Sequence, residues 1–305
     1  MLRLIRRELR IPALNRSVSE LAIMCSLALV VRAPLSGMPT IPNKGSFEVF
    51  RGETADPLIK NAKIDRMRNA TPRPMGILSS AVVFGAFSLL LWMALEVIIP
   101  WLHHTFGIPP IIGWYVSGTA FVLLPILLFG VIKAWLELPV RNLGQLSKRL
   151  RLNRMNGRDL VWGICGLFGI AFASAIILML AREVDPVFRA SPEFLRQPPG
   201  WHTWVFVAWI PLFISNILGE ELCWRGYVLP RQEAAWGRAA WLLNGTMWCL
   251  FHWSFGWSVM LLLLPIALLL PWIVQRRRNT SAGILIHAIF NAAGFIAAIS
   301  GRANL

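Results

Sequence analysis

Seven long apolar runs divide this 305-residue chain and set the narrowest limit on its fold. They cover residues 76–98, 112–135, 159–181, 203–222, 239–255, 257–274 and 281–300. A helix that crosses the hydrocarbon core of a membrane needs about 20 mostly apolar residues, and each run approaches that length. Only 15% of the residues are charged, against roughly 25% in an average soluble protein. The sequence therefore predicts an all-α, multi-pass transmembrane helical bundle with about seven spans.

The basic residues are distributed unevenly between the segments that join these runs. The segments on one side of the predicted membrane carry 26 of the 30 Lys and Arg residues, and those on the other side carry 4. Because basic loops stay in the cytoplasm, this asymmetry predicts a cytoplasmic N-terminus and an external C-terminus. It also accounts for the net charge of +15, so no nucleic-acid partner is expected where no recognition motif accompanies it. The Arg-rich composition is typical of a bacterium with GC-rich DNA, which favours a bacterial inner membrane.

Three regions are expected along the chain. Residues 1–75 form a basic N-terminal cytoplasmic segment, residues 76–158 form N-terminal transmembrane helices, and residues 159–305 form the functional core. The apolar run Leu21–Val31 in the first region has 11 residues and is too short to span a membrane. We favour a surface segment there over a cleaved signal peptide, which has an apolar run of similar length.

Two glutamates and an arginine lie at the end of the fourth apolar run. Ionisable residues in a membrane span are costly, and they are functional candidates by default. Residues four apart share a helix face, so Glu221 and Arg225 are expected to pair. Glu220 then lies about 100° away around the same helix. A solvated helix end near the cytoplasm is the alternative explanation for the two carboxylates.

Two further polar elements follow on the later apolar runs. His252 comes one helical turn after Trp248, and His287 precedes Asn291 by four residues, so the last two share a helix face. A single histidine at the end of a span is often only an interfacial residue. Three neighbouring helices that carry histidines and carboxylates are better explained by a shared site.

The order EExxxR, aromatic-xxx-His and HxxxN on separate late spans resembles the CPBP family of CAAX proteases and bacteriocin-processing enzymes. This intramembrane protease family includes the type II CAAX prenyl endopeptidases. The resemblance covers roughly residues 160–300, and Trp248 stands where the family usually has Phe. The matched site residues are Glu220, Glu221, Arg225, His252, His287 and Asn291.

The resemblance implies a membrane endopeptidase, a hydrolase that cleaves peptides with an activated water. Glu220 and His252 would hold and deprotonate the water, which is general base catalysis. His287 and Asn291 would form the oxyanion hole, while Glu221 and Arg225 would orient these groups. The predicted depths of Glu220 and His252 agree only if the fourth span continues past Arg225, or if the fifth tilts or starts late.

The need for a cofactor stays open between two mechanisms. Members of this family are often named metalloproteases, and zinc binds nitrogen and oxygen ligands tetrahedrally. The set that would hold zinc is Glu220, His252 and His287. We favour the metal-free glutamate mechanism, so no cofactor is expected.

Three classes of function remain to be distinguished. The first is an endopeptidase that acts at the lipid bilayer on a prenylated tail, a bacteriocin leader or another membrane-associated peptide or protein. The second is a non-catalytic scaffold or bacteriocin-immunity protein with the same fold. The third is a proton-coupled transporter that uses the carboxylates and histidines as a relay. The absence of matching repeat halves disfavours the transporter.

Overall fold

The computed structural model describes residues 72–186, 188, 192–195 and 202–299. All regular elements of this part of the chain are helical, which confirms the predicted all-α class. Its α-helices are α1 Ile77–Met93, α2 Ile99–Phe106, α3 Pro110–Ser117, α4 Leu124–Leu136, α5 Leu143–Arg149, α6 Gly157–Val184, α7 His202–Glu220, α8 Leu229–Trp236, α9 Ala240–Phe251, α10 Trp257–Arg277 and α11 Thr280–Ile299. The predicted N-terminal segment, with its apolar run Leu21–Val31, lies outside the described residues except for residues 72–75.

The membrane-spanning character follows from the length and apolarity of these helices. Five stretches of the described chain meet both conditions, namely Ile77–Phe106, Pro110–Leu136, Gly157–Val184, Val205–Phe251 and Trp257–Arg277. Thr280–Ile296 is apolar but shorter. The seven predicted spans correspond to these six stretches, because most of the fourth and most of the fifth lie in the 47 residues of Val205–Phe251. The multi-pass transmembrane bundle is therefore confirmed.

Wider π-helical turns extend three of the helices without interrupting them. They cover Ala94–Ile98, Gly118–Leu123 and Glu221–Val228. The third turn joins α7 to α8, so the chain stays helical from residue 202 to residue 236. The fourth span thus continues past Arg225. This is one of the two arrangements that the sequence required for Glu220 and His252 to meet at one depth.

Close backbone contacts place the segment Glu221–Val228 inside the bundle. It packs against α4, where a Cβ atom added to Gly130 would lie 2.7 Å from the Cα of Cys223. Helices α9 and α10 pack along each other as a helical hairpin, and a Cβ at Gly245 would lie 2.2 Å from the carbonyl oxygen of Ala267. Small residues at such crossings let helix backbones approach closely in membranes.

The loop after α4 is bound to α8 by ion pairs. Glu137 accepts hydrogen bonds from Arg149 at 2.5 Å and from Arg231. Burial raises the pKa of Glu137, but the hydrogen bonds from the two guanidinium groups outweigh it and hold the pKa below its ordinary value. Arg151 binds Glu233 through two N–H groups, at 2.7 and 2.6 Å. These contacts hold α8 in place, and α8 continues the helix that carries Glu220 and Glu221.

Candidate active site

The two adjacent glutamates lie where α7 changes to the π-helical turn. Glu220 is the last residue of α7, and Glu221 is the first of the wider turn. Both side chains are buried, with 1% and 0% of their surface exposed. The alternative of a solvated helix end is therefore wrong for this pair. Buried carboxylates need hydrogen-bond or charge partners, and the two glutamates find different ones.

Glu220 is held by two N–H donors and faces a cavity. The side-chain amide of Asn216, one turn earlier on α7, donates to Oε1 at 2.7 Å. The indole nitrogen of Trp248 on α9 donates to Oε2. Each carboxylate oxygen accepts more than one hydrogen bond, so Glu220 keeps acceptor capacity for a ligand in the cavity that it lines.

Glu221 has the partners expected of a structural carboxylate. Its Oε1 lies 3.2 Å from the Nη1 of Arg225, which is the predicted pair. The same oxygen accepts a hydrogen bond from the Nδ1 of His287 at 2.9 Å. The Arg225 guanidinium also stacks 3.8 Å from the centre of the Trp248 ring, a cation–π contact that compensates in part for its burial.

His252 stands at the C-terminal end of α9 and lines the same cavity as Glu220. Its Nδ1 donates to the carbonyl oxygen of Trp248 at 2.9 Å, since a carbonyl can only accept. In a neutral imidazole with the proton on Nδ1, Nε2 is an acceptor. His252 is therefore oriented with a basic nitrogen available for a ligand.

Helix α11 directs both of its predicted site residues toward α7 and the turn that follows it, but only one of them lines the cavity. Asn291 lines the cavity and donates through Nδ2 to the Oδ1 of Asn216. His287 is 3% exposed, contacts Glu221, and lies outside the set of described residues that line the cavity. Of the two residues that were expected at one substrate carbonyl, only Asn291 reaches the cavity. The cause is the Glu221 carboxylate, which takes up the His287 nitrogen.

The cavity has a volume of about 420 Å³ and mainly aromatic and aliphatic walls. Trp209, Phe213 and Phe295 are among the apolar side chains that form these walls. Asn216, Glu220, His252 and Asn291 supply polar groups to it. A mostly apolar cavity with a few convergent polar groups is typical of a ligand or active site.

Two residues of this site were missed by the sequence analysis. Asn216 connects Glu220 with Asn291, and the signal that would have found it is the four-residue spacing between Asn216 and Glu220. Trp248 was noted only as an aromatic residue in a motif. Its indole N–H, which Phe lacks, was the signal for a hydrogen bond to a carboxylate.

The zinc ligands that the sequence allowed do not converge on one point. Among the described residues, there is no group of three His, Cys, Asp or Glu side chains that could hold a metal ion. Both oxygens of Glu220 accept from N–H donors, and the Nδ1 of His287 is directed to Glu221. In the described part of the chain, Glu220, His252 and His287 therefore do not fit a zinc site.

Residues 202–293 match the family model of the type II CAAX prenyl endopeptidase Rce1-like proteins. The match includes all six predicted site residues, and it confirms the resemblance to the CPBP family for this part of the chain. No curated protein matches the chain. No solved structure matches it either.

Proposed function

Starting from the match of residues 202–293 to the type II CAAX prenyl endopeptidases, we propose that the chain is an intramembrane endopeptidase with a glutamate-activated water. The observation that carries this proposal is the common cavity of Glu220, His252 and Asn291. The three residues come from three helices, α7, α9 and α11, and meet only in the folded chain.

The water is held between two acceptors. It donates one hydrogen to the Glu220 carboxylate and the other to the Nε2 of His252, which leaves an oxygen lone pair directed at the substrate. Glu220 takes a proton as the oxygen attacks the carbonyl carbon, and the carbonyl becomes a tetrahedral oxyanion. The C–N bond then breaks, and Glu220 returns its proton to the leaving amine.

The oxyanion receives a hydrogen bond from the side-chain amide of Asn291. Asn216 accepts the other N–H of this amide through its Oδ1, so the orientation of Asn291 is fixed before substrate arrives. A donor that is already oriented stabilises the developing charge without reorganisation. Glu221, Arg225 and His287 lie outside the cavity lining. They hold the helices that carry the catalytic groups and do not contact the substrate.

The substrate that fits this site is a membrane-associated peptide with apolar side chains next to the cleaved bond. The aromatic and aliphatic walls of the cavity exclude water and favour such side chains. The protein then acts within a bacterial inner membrane, with its N-terminus and its Arg276–Arg278 loop in the cytoplasm. Its partners are this peptide and the lipid bilayer, with no nucleic acid.

The experiment that tests the proposal uses the full chain purified in detergent and three groups of peptides. These are prenylated CAAX peptides, leader peptides and unmodified apolar peptides, with cleavage followed by mass spectrometry and bound metal measured in parallel. We expect cleavage that survives a chelator. Cleavage only with stoichiometric zinc would contradict the metal-free mechanism, and no cleavage in any group would favour the scaffold or immunity function.

A further inference from the structure

Trp248 contacts four polar members of the site through three different parts of the residue. Its indole N–H donates to Glu220, and its carbonyl oxygen accepts from the Nδ1 of His252. Its ring lies under the Arg225 guanidinium at 3.8 Å and meets the His287 ring edge-on at 5.3 Å. With 2% of its surface exposed, it is enclosed by the groups that it touches.

The side-chain N–H is the part of this residue that a smaller aromatic would not replace. The backbone carbonyl is present in any residue, and Phe could supply an aromatic face for Arg225. Only the indole N–H reaches the second oxygen of Glu220. A hydrogen bond to an ionised acceptor is about twice as strong as one between neutral groups.

We propose that Trp248 is a positioning residue that fixes the orientation of the Glu220 carboxylate toward the water. Asn216 holds one oxygen and Trp248 holds the other, so the plane of the carboxylate is set by donors on two helices. The inference rests on the proposed function, because the orientation matters only if Glu220 acts on a water.

The same residue aligns the two groups that share the water. The Trp248 carbonyl fixes the His252 ring one turn later on α9, while the Trp248 side chain fixes Glu220 on α7. A shift of the indole therefore changes the angle between the two acceptors. Misplacement of reacting groups by about 1 Å costs on the order of 10²-fold in rate.

The kinetic test is Trp248→Phe, which removes the N–H and keeps an aromatic ring. We expect kcat to fall about 10- to 100-fold, as for the loss of one hydrogen bond to a charged group. KM should stay within about twofold, since Trp248 does not line the cavity and the substrate-binding walls are unchanged. A role in packing alone would instead lower the melting temperature and the yield of folded protein, without a selective fall in kcat at constant KM.

Trp224→Phe is the matched control. Trp224 is fully buried, and its indole N–H has no hydrogen-bond partner within the described part of the chain. It stacks on Phe84 with ring centres 4.1 Å apart. The control therefore makes the same change in a buried tryptophan without the loss of a hydrogen bond, and it should keep kcat near that of the original protein.

A spectroscopic measurement tests the contact without relying on activity. The chain has 15 tryptophans, and ¹⁵N labelling of their indole nitrogens gives one N–H signal each. Trp248→Phe and Trp224→Phe assign two of these signals by their loss. The Trp248 proton should lie downfield of the Trp224 proton and move upfield in Glu220→Gln, while the Trp224 signal stays in place.

The two measurements separate the possible failures. A Trp248 signal that does not respond to Glu220→Gln would contradict the contact itself. Cleavage with an unchanged kcat in Trp248→Phe would contradict the positioning role and leave the proposed function intact. If the original protein cleaves none of the peptides, the proposed function fails, and the role of Trp248 in catalysis fails with it.

Discussion

Glu220 and Glu221 are neighbours in the sequence, yet their carboxylates share no partner among the residues that the structure describes. Glu220 accepts from Asn216 and Trp248 and lines the cavity. Glu221 contacts Arg225 and His287 instead. Consecutive helical residues point about 100° apart, so the two carboxylates reach different surroundings, and the proposed function assigns catalysis to Glu220 and support to Glu221.

This division predicts different effects on stability. Glu221→Gln or Arg225→Met should lower the free energy of unfolding by about 3–5 kcal/mol, because each leaves a buried charge without its partner. Glu220→Gln should cost less, since Glu220 is paired with neutral donors. Melting temperatures in detergent measure the difference. Equal losses in all three variants would contradict the separate roles.

A glycine behind Glu221 offers a second test of this support. A Cβ atom at Gly283 would lie 2.6 Å from the Oε2 of Glu221 and 2.8 Å from the Cγ2 of Val274. Gly283→Ala should therefore destabilise the protein by about 1–3 kcal/mol, as overpacking does, and it should also reduce cleavage. Gly85→Ala is the control, because no atom lies within 4 Å of its added Cβ. A melting temperature in Gly283→Ala equal to that of the control would contradict the tight packing at Glu221.

Substitutions at Asn291 and Asn216 should reduce cleavage less than substitutions at Glu220, the proposed base. Asn291→Ala removes one donor to the oxyanion, so kcat should fall on the order of 10²–10³-fold without complete loss. Asn216→Leu removes the partner of Asn291 and also one N–H donor to Glu220, so we expect a loss in kcat comparable to that of Trp248→Phe. Single-turnover rates with a cleavable peptide provide the measurement. Full activity in Asn291→Ala would show that another group binds the oxyanion.

The orientation in the membrane is tested independently of the chemistry. Reporter fusions should place the N-terminus and the Arg276–Arg278 loop in the cytoplasm and Leu305 outside, because 26 of the 30 basic residues lie on the first side. A reporter at Leu305 that is active in the cytoplasm would contradict the count of seven spans.

The sequence predicted those parts of the site that depend on regular helical spacing. The contact between Glu221 and Arg225 follows from their four-residue separation. The same separation places His287 and Asn291 on one face of α11, toward α7 and the turn after it. The all-helical membrane fold follows from the apolar runs. Both kinds of inference use local periodicity, and the pairing of Glu221 with Arg225 persists although both residues lie in a π-helical turn.

Contacts between different helices could not be predicted from spacing within one helix. The turn at Glu221–Val228 is π-helical, and it alters the side-chain directions that a regular α-helix would give. The partner of His287 depends on how α11 packs against that turn, so its predicted place beside the substrate carbonyl did not follow from spacing. The bond from Trp248 to Glu220 joins residues that are 28 positions apart. Its formation depends on the packing of α9 beside α7.

The central claim is that Glu220 and His252 act on one water, and cleavage rates of their alanine variants test it most directly. Glu220→Ala and His252→Ala should each abolish cleavage while the protein remains folded and inserted. The double variant should be barely worse, since residues that act as a unit are not additive. Glu96→Ala and His104→Ala, both exposed positions, are the controls and should stay active. Full activity in Glu220→Ala would contradict the account.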